Sequence, residues 1–256
     1  MTALSVNLNK IALLRNSRGR DFPNVVEFAK KFIDLGASGI TIHPRPDERH
    51  ITRQDAYDLG ELLKENAIVE FNHIELNIEG YPSNDFLELI KDIRPAQCTL
   101  VPDEPNQLTS DHGWDLQDTD KLAFVKKSCD YINSLGVRSA IFIDPDLSQI
   151  ELAPKTNTNR IELYTEMFAS KYNNDTSAQE FDNQFDKLFE SYNQSAILAQ
   201  KLGIEVNAGH DLNLKNLAKF LTIDGILEVS IGHELTVESI ELGMVEVMKR
   251  YLEICA

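Results

Sequence analysis

Apolar and polar positions along the chain fall into two regimes. Short β-rich runs alternate, from end to end, with longer stretches in which apolar residues recur at helical spacing. Eight runs read as strands: Leu4–Asn9, Gly39–His43, Glu75–Glu79, Gln97–Val101, Arg138–Asp144, Arg160–Tyr164, Gly203–Asn207 and Ile226–Ile231. Several, such as IFID and ILEVSI, look continuous rather than alternating, which suits strands covered on both faces. Between strands, Asn24–Leu35 carries Val25, Val26, Phe28, Ala29, Phe32 and Ile33 on a helical repeat and stops at Gly36. Thr119–Leu135 stops at Gly136, and Ser177–Leu202 at Gly203, in the same way. Helices that run into a glycine and then a strand fit βα units, not an antiparallel sandwich. Eight such units in about 250 residues match one (β/α)8 barrel domain spanning 1–256, with a doubly wound open sheet as the alternative. The polar tract Lys171–Glu180 is expected to be a long loop after the sixth strand.

Composition narrows the classes. At 42% hydrophobic residues the chain is too apolar to be disordered. Lys plus Arg number 25 against 41 Asp plus Glu, a formal net charge of −16. Such a surface repels nucleic acid and anionic lipid, so neither is expected as a partner. Cys98, Cys129 and Cys255 are widely spaced, with no C-x-x-C pair to suggest a disulfide framework or a thiolate zinc site. The opening residues lack the apolar core of a secretory signal, and no run approaches the roughly 18 apolar residues of a membrane span. A cytoplasmic location is expected.

In a barrel of this kind, reactive groups sit at the C-terminal ends of the strands. Polar residues collect there: Asn7 and Asn9 after the first strand, His43 and Arg45 after the second, Glu79 at the end of the third. Thr109 and Ser110 follow the fourth, Glu162 lies within the sixth, His210 follows the seventh, and Gly232 with His233 follow the eighth. The segment from His43 to His50 holds two histidines and two arginines, enough for a general base beside an anion clamp. The competing reading is a solvated, proline-stiffened loop whose charges pair among themselves; the functional one is favoured because His43 directly ends the apolar strand GITIH. A carboxylate at a buried strand end, as at Glu79, has its pKa raised towards that of a useful base; a salt-bridged structural role competes, and Glu75 shares the same face. Gly209-His210 and Gly232-His233 occupy the two loops where such barrels commonly hold phosphate on backbone N–H groups. No metal site is expected, because the first strand end reads Asn7-Leu-Asn9 where a metal barrel usually offers His-x-His.

Taken in order, VNLNKIALLRNSRG, GITIHPRPDERHIT, LNIEG, LVPDEPNQLTSDHGWD, IFIDPD, RIELYTEMFA, GIEVNAGHDLN and EVSIGHEL resemble the pyridoxine 5′-phosphate synthase family over essentially the whole chain. The resemblance implies a TIM barrel, (β/α)8 with extra helices, assembled as a homo-octamer. It implies a transferase-class enzyme of vitamin B6 synthesis that uses no cofactor. The family joins 1-deoxy-D-xylulose 5-phosphate to 3-amino-2-oxopropyl phosphate and closes the pyridine ring, releasing phosphate and water. Residue by residue, it implies His43 and Glu79 as bases, His210 as acid and Glu162 as the group that steadies the transition state. The amino-ketone phosphate would be held by Asn7, Arg18, the backbone at Asp211, and Gly232 with His233. The deoxyxylulose phosphate would be met by Arg45, His50 and Thr109.

Three segments depart from the family pattern. Asn9-Lys10 replaces an Asp-His pair that contacts deoxyxylulose phosphate, and Lys10 can still meet an anion. His112-Gly113 replaces Gly-Gly, and Tyr164-Thr165-Glu166 replaces His-Thr-Gly. Two phosphate substrates in an acidic shell require a local cationic pocket of Arg18, Arg45, Lys10 and backbone N–H groups. A phosphosugar isomerase or epimerase, needing one phosphate site, and a non-catalytic sugar-phosphate sensor are the competing readings.

Overall fold

Eight parallel strands close into one barrel in chain order, β1 to β8. A computed structural model describes residues 1–66, 74–103, 110–174 and 183–256. The strands are β1 (Ala3–Asn7), β2 (Gly39–Ile42), β3 (Glu75–Gly80), β4 (Gln97–Leu100), β5 (Arg138–Ile143), β6 (Arg160–Tyr164), β7 (Glu205–Gly209) and β8 (Ile226–Ile231). β1 pairs with β8 from Ala3↔Glu228 to Val6↔Ile231, and this closure excludes the open sheet.

Helices cover the outside. α1 (Asn9–Asn16) and α2 (Val25–Asp34) join β1 to β2; α3 (Arg53–Asn66), α4 (Asn84–Ile93) and α5 (Thr119–Ser134) follow β2, β3 and β4. α6 (Leu147–Leu152) and a 3-10 turn precede β6; α7 (Glu166–Asn174) and α8 (Asn183–Lys201) follow it. α9 (Leu217–Phe220) precedes β8, and α10 (His233–Leu242) and α11 (Met244–Cys255) end the chain. The doubled helices in several connections are the extra ones the resemblance implies. Side-chain caps start two of the helices: Asn24 accepts from the Glu27 N–H at 2.9 Å, and Ser83 from that of Phe86 at 3.2 Å. No described helix is long and apolar enough to cross a membrane.

Several strands end one residue from the expected position, and three boundaries move further. β1 ends at Asn7, not Asn9, because the Asn9 N–H bonds to Asn7 Oδ1 at 2.9 Å and Asn9 already begins α1. β7 runs 205–209 rather than 203–207: Gly203, at φ +76°, terminates α8, and pairing with β6 continues to Tyr164↔Gly209. The expected loop at Lys171–Glu180 is helical as far as Asn174, in α7; its remainder, like the start of the Ser177–Leu202 helix, lies outside the described residues.

The hydrophobic core lies between the sheet's outer face and the helices, where Ile40, Ile42, Ile161, Leu163 and Val229 are fully enclosed. The barrel interior is polar. Ser5, Thr41, Asn77 and Thr99 are linked in turn at 2.7, 3.5 and 3.0 Å. Beneath them Arg138 pairs with Glu75, and Arg160 lies 2.6 Å from Glu205. Most strands therefore alternate polar-in and apolar-out. In ILEVSI, Glu228 and Ser230 face inward, so that run is not apolar on both sides.

Candidate active site

At the C-terminal ends of the strands a cavity of about 350 Å³ is lined by Asn7, Asn9, Lys10, His43, Arg45, His50, Glu79, Glu162, His210, Asp211, Gly232 and His233. Ser110, Tyr164, Glu166, Ser230 and Glu234 complete much of the wall.

His43, 6% exposed, follows β2, and its backbone N–H bonds to Asn9 Oδ1 at 3.0 Å. Asn9 thus ties the ends of β1 and β2 together. His43 Nδ1 lies 3.9 Å from Glu79 Oε2. Burial, then the charges of Arg45 and nearby histidines, hold the imidazole pKa well below its usual 6.5. Burial, then the neighbouring carboxylates of Glu162, Asp103 and Glu228, push Glu79 well above the usual carboxylate range. His43 is therefore neutral near pH 7, and the Glu79 carboxylate is a stronger base than an exposed one would be.

His50 Nδ1 accepts the Ile51 N–H at 2.9 Å, which places the ring proton on Nε2. Burial and the nearby Arg45 and Lys10 bring its pKa down to about 4. His50 is a neutral hydrogen-bond donor. Its loop is anchored from α1: Asn16 Nδ2 donates to the His50 carbonyl at 2.8 Å, and Arg15 forms a two-pronged pair with Asp55.

Arg45 is buried, with Nη2 2.5 Å from Asp103 Oδ2, and Ser110 Oγ donates to the same oxygen at 2.7 Å. The guanidinium plane is thereby fixed before any anion arrives. Asp103 escaped the sequence reading, although a carboxylate just past β4 satisfies the same strand-end filter.

Across the mouth, the His210 ring stands against Phe142 and Tyr164, at centroid distances of 5.4 and 5.1 Å, and burial lowers its pKa. His210 (φ +91°) and Asp211 (φ +57°) both hold left-handed backbone, an arrangement that costs energy for residues with side chains. Thr165 clamps it, donating from Oγ1 to the Gly209 carbonyl at 2.7 Å and to that of His210. Glu162, 3% exposed, lies over Gly209, where a Cβ would fall 2.3 Å from its Oε1. Burial and Glu228 push the Glu162 carboxyl up to about 8.

Gly232 heads α10 without a side-chain cap, and a Cβ there would fall 2.9 Å from Asn7 Cβ. The first N–H groups of a ten-residue helix are thus left for an anion at the cavity wall. The His233 side chain is exposed.

Two expected contacts are not among these. Arg18 is exposed on the turn after α1, where its N–H bonds to the Arg15 carbonyl at 3.2 Å, and does not line the cavity. Thr109 lies outside the described residues. Glu234 and Ser230 were not foreseen, though both flank the Gly232-His233 pair.

Over residues 4–256 the chain matches the family described as pyridoxal phosphate biosynthesis protein PdxJ. It is 45% identical over 252 residues to the pyridoxine 5′-phosphate synthase of Bacteroides thetaiotaomicron, covering 98% of each chain. It is 45% identical over 253 residues to that of Porphyromonas gingivalis, again covering 98% of each. Phosphoribosyl anthranilate isomerase from Thermus thermophilus shares the fold, with a TM-score of 0.58 at 13% identity, covering 99% of this chain and 100% of that one. Identity this high along the whole barrel assigns more than architecture: the chain belongs to the PdxJ family of pyridoxal phosphate biosynthesis proteins.

Proposed function

We propose that this protein is a pyridoxine 5′-phosphate synthase, condensing 3-amino-2-oxopropyl phosphate with 1-deoxy-D-xylulose 5-phosphate. The observation that carries this reading is the His43–Glu79 pair at 3.9 Å, within a cavity that offers anion contacts at two separate corners. One corner is the α10 N-terminus with Asn7, suited to the amino-ketone phosphate. The other is Arg45 with His50 and Lys10, suited to deoxyxylulose phosphate. An isomerase would need only one.

The chemistry asks for an amine to attack a ketone, water to leave, and protons to come off carbon before the ring closes. Glu79 takes a proton from carbon, and neutral His43, beside it, accepts and returns protons at the reacting oxygen and nitrogen. His210, across the mouth, donates to departing oxygen. Glu162 steadies charge that develops on oxygen. The net charge of −16 opposes two phosphate esters at a distance, but that field is screened beyond about 8–10 Å, while contacts inside the mouth are screened less.

Residues 1–256 act as one barrel domain in this reading, located in the cytoplasm. Self-association, as a homo-octamer, is supported by Leu13 and Leu14 on α1, Ile240 on α10 and Val245 on α11, whose apolar side chains are exposed. The test is incubation with both phosphates. Pyridoxine 5′-phosphate and inorganic phosphate should appear together, and only when both substrates are present. Binding of each without product would point to a sensor; rearrangement of one alone would point to an isomerase.

A further inference from the structure

Below the cavity the barrel holds a second buried carboxylate that the chemistry proposed above does not use. Glu162 on β6 pairs in register with Asn207 on β7, and Asn207 with Glu228 on β8, so the three side chains form one inward row. They are 3%, 1% and 6% exposed. Asn207 donates from Nδ2 to Glu228 Oε1 at 3.3 Å, while its Oδ1 is buried with no donor among the described residues.

The charges around this row are unevenly placed. Arg160, on the same strand as Glu162 but below it, lies 3.8 Å from Glu228 and is drawn closer to Glu205 and Gln97. Arg138 on β5 pairs with Glu75 on β3. Glu79 on β3 is another buried carboxyl on the mouth side, and the Thr99 hydroxyl on β4 gives Glu162 one hydrogen bond that favours its anion. No described cation pairs with Glu162. Two carboxyls sharing an enclosed row cannot both ionise cheaply, so one keeps its proton. Glu228 has an N–H and a guanidinium to favour its anion; Glu162 has only the Thr99 hydroxyl. An amide oxygen lacking a donor is the partner that a protonated carboxyl satisfies.

We infer that Glu228 is a positioning residue: from beneath the site, and through Asn207, it keeps Glu162 protonated, so that Glu162 meets the reacting molecule as an uncharged carboxyl and not as an anion. The role rests on the reading of Glu162 as part of the site. It has a chemical rationale, because a cavity that must take two phosphate esters gains from not presenting another anion. Burial acts the same way, pushing Glu162 up to about 8 and Glu228 to about 7.

The test is an infrared pH titration of the ligand-free protein, following the protonated-carboxyl band that Glu162→Gln removes. In the wild type that band should persist through neutral pH. Glu228→Gln keeps the shape and the Asn207 contact but removes the charge, so the band should vanish at least about 1 pH unit lower. Glu228→Asp should restore the wild-type midpoint. Asn207→Leu removes the acceptor and should also lower it, which keeps the test decisive if Glu228→Gln does not fold. The alkaline limb of the rate profile should move with the band, leaving activity on the acid side intact. An unmoved midpoint, or a uniform loss of rate with no shift of the limb, overturns the role. Absence of pyridoxine 5′-phosphate formation in the wild type would instead count against the proposed function, and the infrared midpoint would still decide the role of Glu228.

Discussion

His43 and Glu79 stand 3.9 Å apart with their pKa values pushed in opposite directions, one down by enclosure and cations, the other up by enclosure and anions, so that the charged form of each is disfavoured. Glu79→Gln keeps the shape of the pair and removes its proton acceptor, so turnover should fall roughly 10²–10⁴-fold with both phosphates still bound. Near-normal turnover would remove Glu79 from the mechanism. The histidines should divide. His43→Asn and His210→Asn are expected to lose turnover with binding retained, whereas His233→Asn should keep most of it, because that side chain is exposed and its backbone N–H survives. Equal losses in all three would contradict the division. Gly209 is set by contact, not by backbone freedom. In Gly209→Ala the methyl would fall 2.3 Å from Glu162 Oε1, so activity should drop more steeply than melting temperature. A variant that melts early but turns over normally would show that the crowding is relieved elsewhere.

At the scale of elements, α1 and the β2–α3 loop behave as one piece. Asn16 holds the carbonyls of Arg49 and His50 at 3.1 and 2.8 Å, and the Arg15–Asp55 pair, with side chains 11% and 10% exposed, pins α1 to the start of α3. Removing one partner of a buried pair leaves the other uncompensated. Asp55→Asn should therefore cost about 3 kcal/mol in denaturant unfolding. Because the same anchor sets His50, KM for deoxyxylulose phosphate should rise while kcat holds. A stability loss with KM unchanged would separate the anchor from the site.

Across the whole molecule, the polar barrel interior makes stability depend on pH from both sides. Glu162 titrates near 8 when folded and near 4.5 when unfolded, so between these values the folded chain binds the extra proton and stability falls as pH rises. His50 has the opposite sign. Folded near 4 and unfolded near 6.5, it costs stability as pH falls through that window. Glu162→Gln removes the first effect alone. Its gain in Tm over the wild type should be larger at pH 8 than at pH 5, read by calorimetry; an equal or reversed gain would mean that Glu162 ionises freely in the fold.

The barrel and most of the cavity wall were legible in the chain, because their cues are local. Apolar runs, glycine stops and segment lengths specify βα units, and parallel closure carries every strand's C-terminal end to one face, where His43, Glu79, His210 and Gly232 meet. Ordered family segments added the expected ligand of each side chain by resemblance, not by physics. What depended on distance was decided only by the tertiary structure. The Arg45–Asp103 pair joins residues 58 positions apart, and the Glu162–Asn207–Glu228 row exists only because three strands share a register. Enclosure, which no periodicity reports for a polar side chain, sets which imidazoles are neutral and which carboxyls keep a proton. For the same reason Arg18, an apt cation in sequence, stands on an exposed turn away from the cavity: a loop's direction is set by what it packs against, and that is a property of the fold.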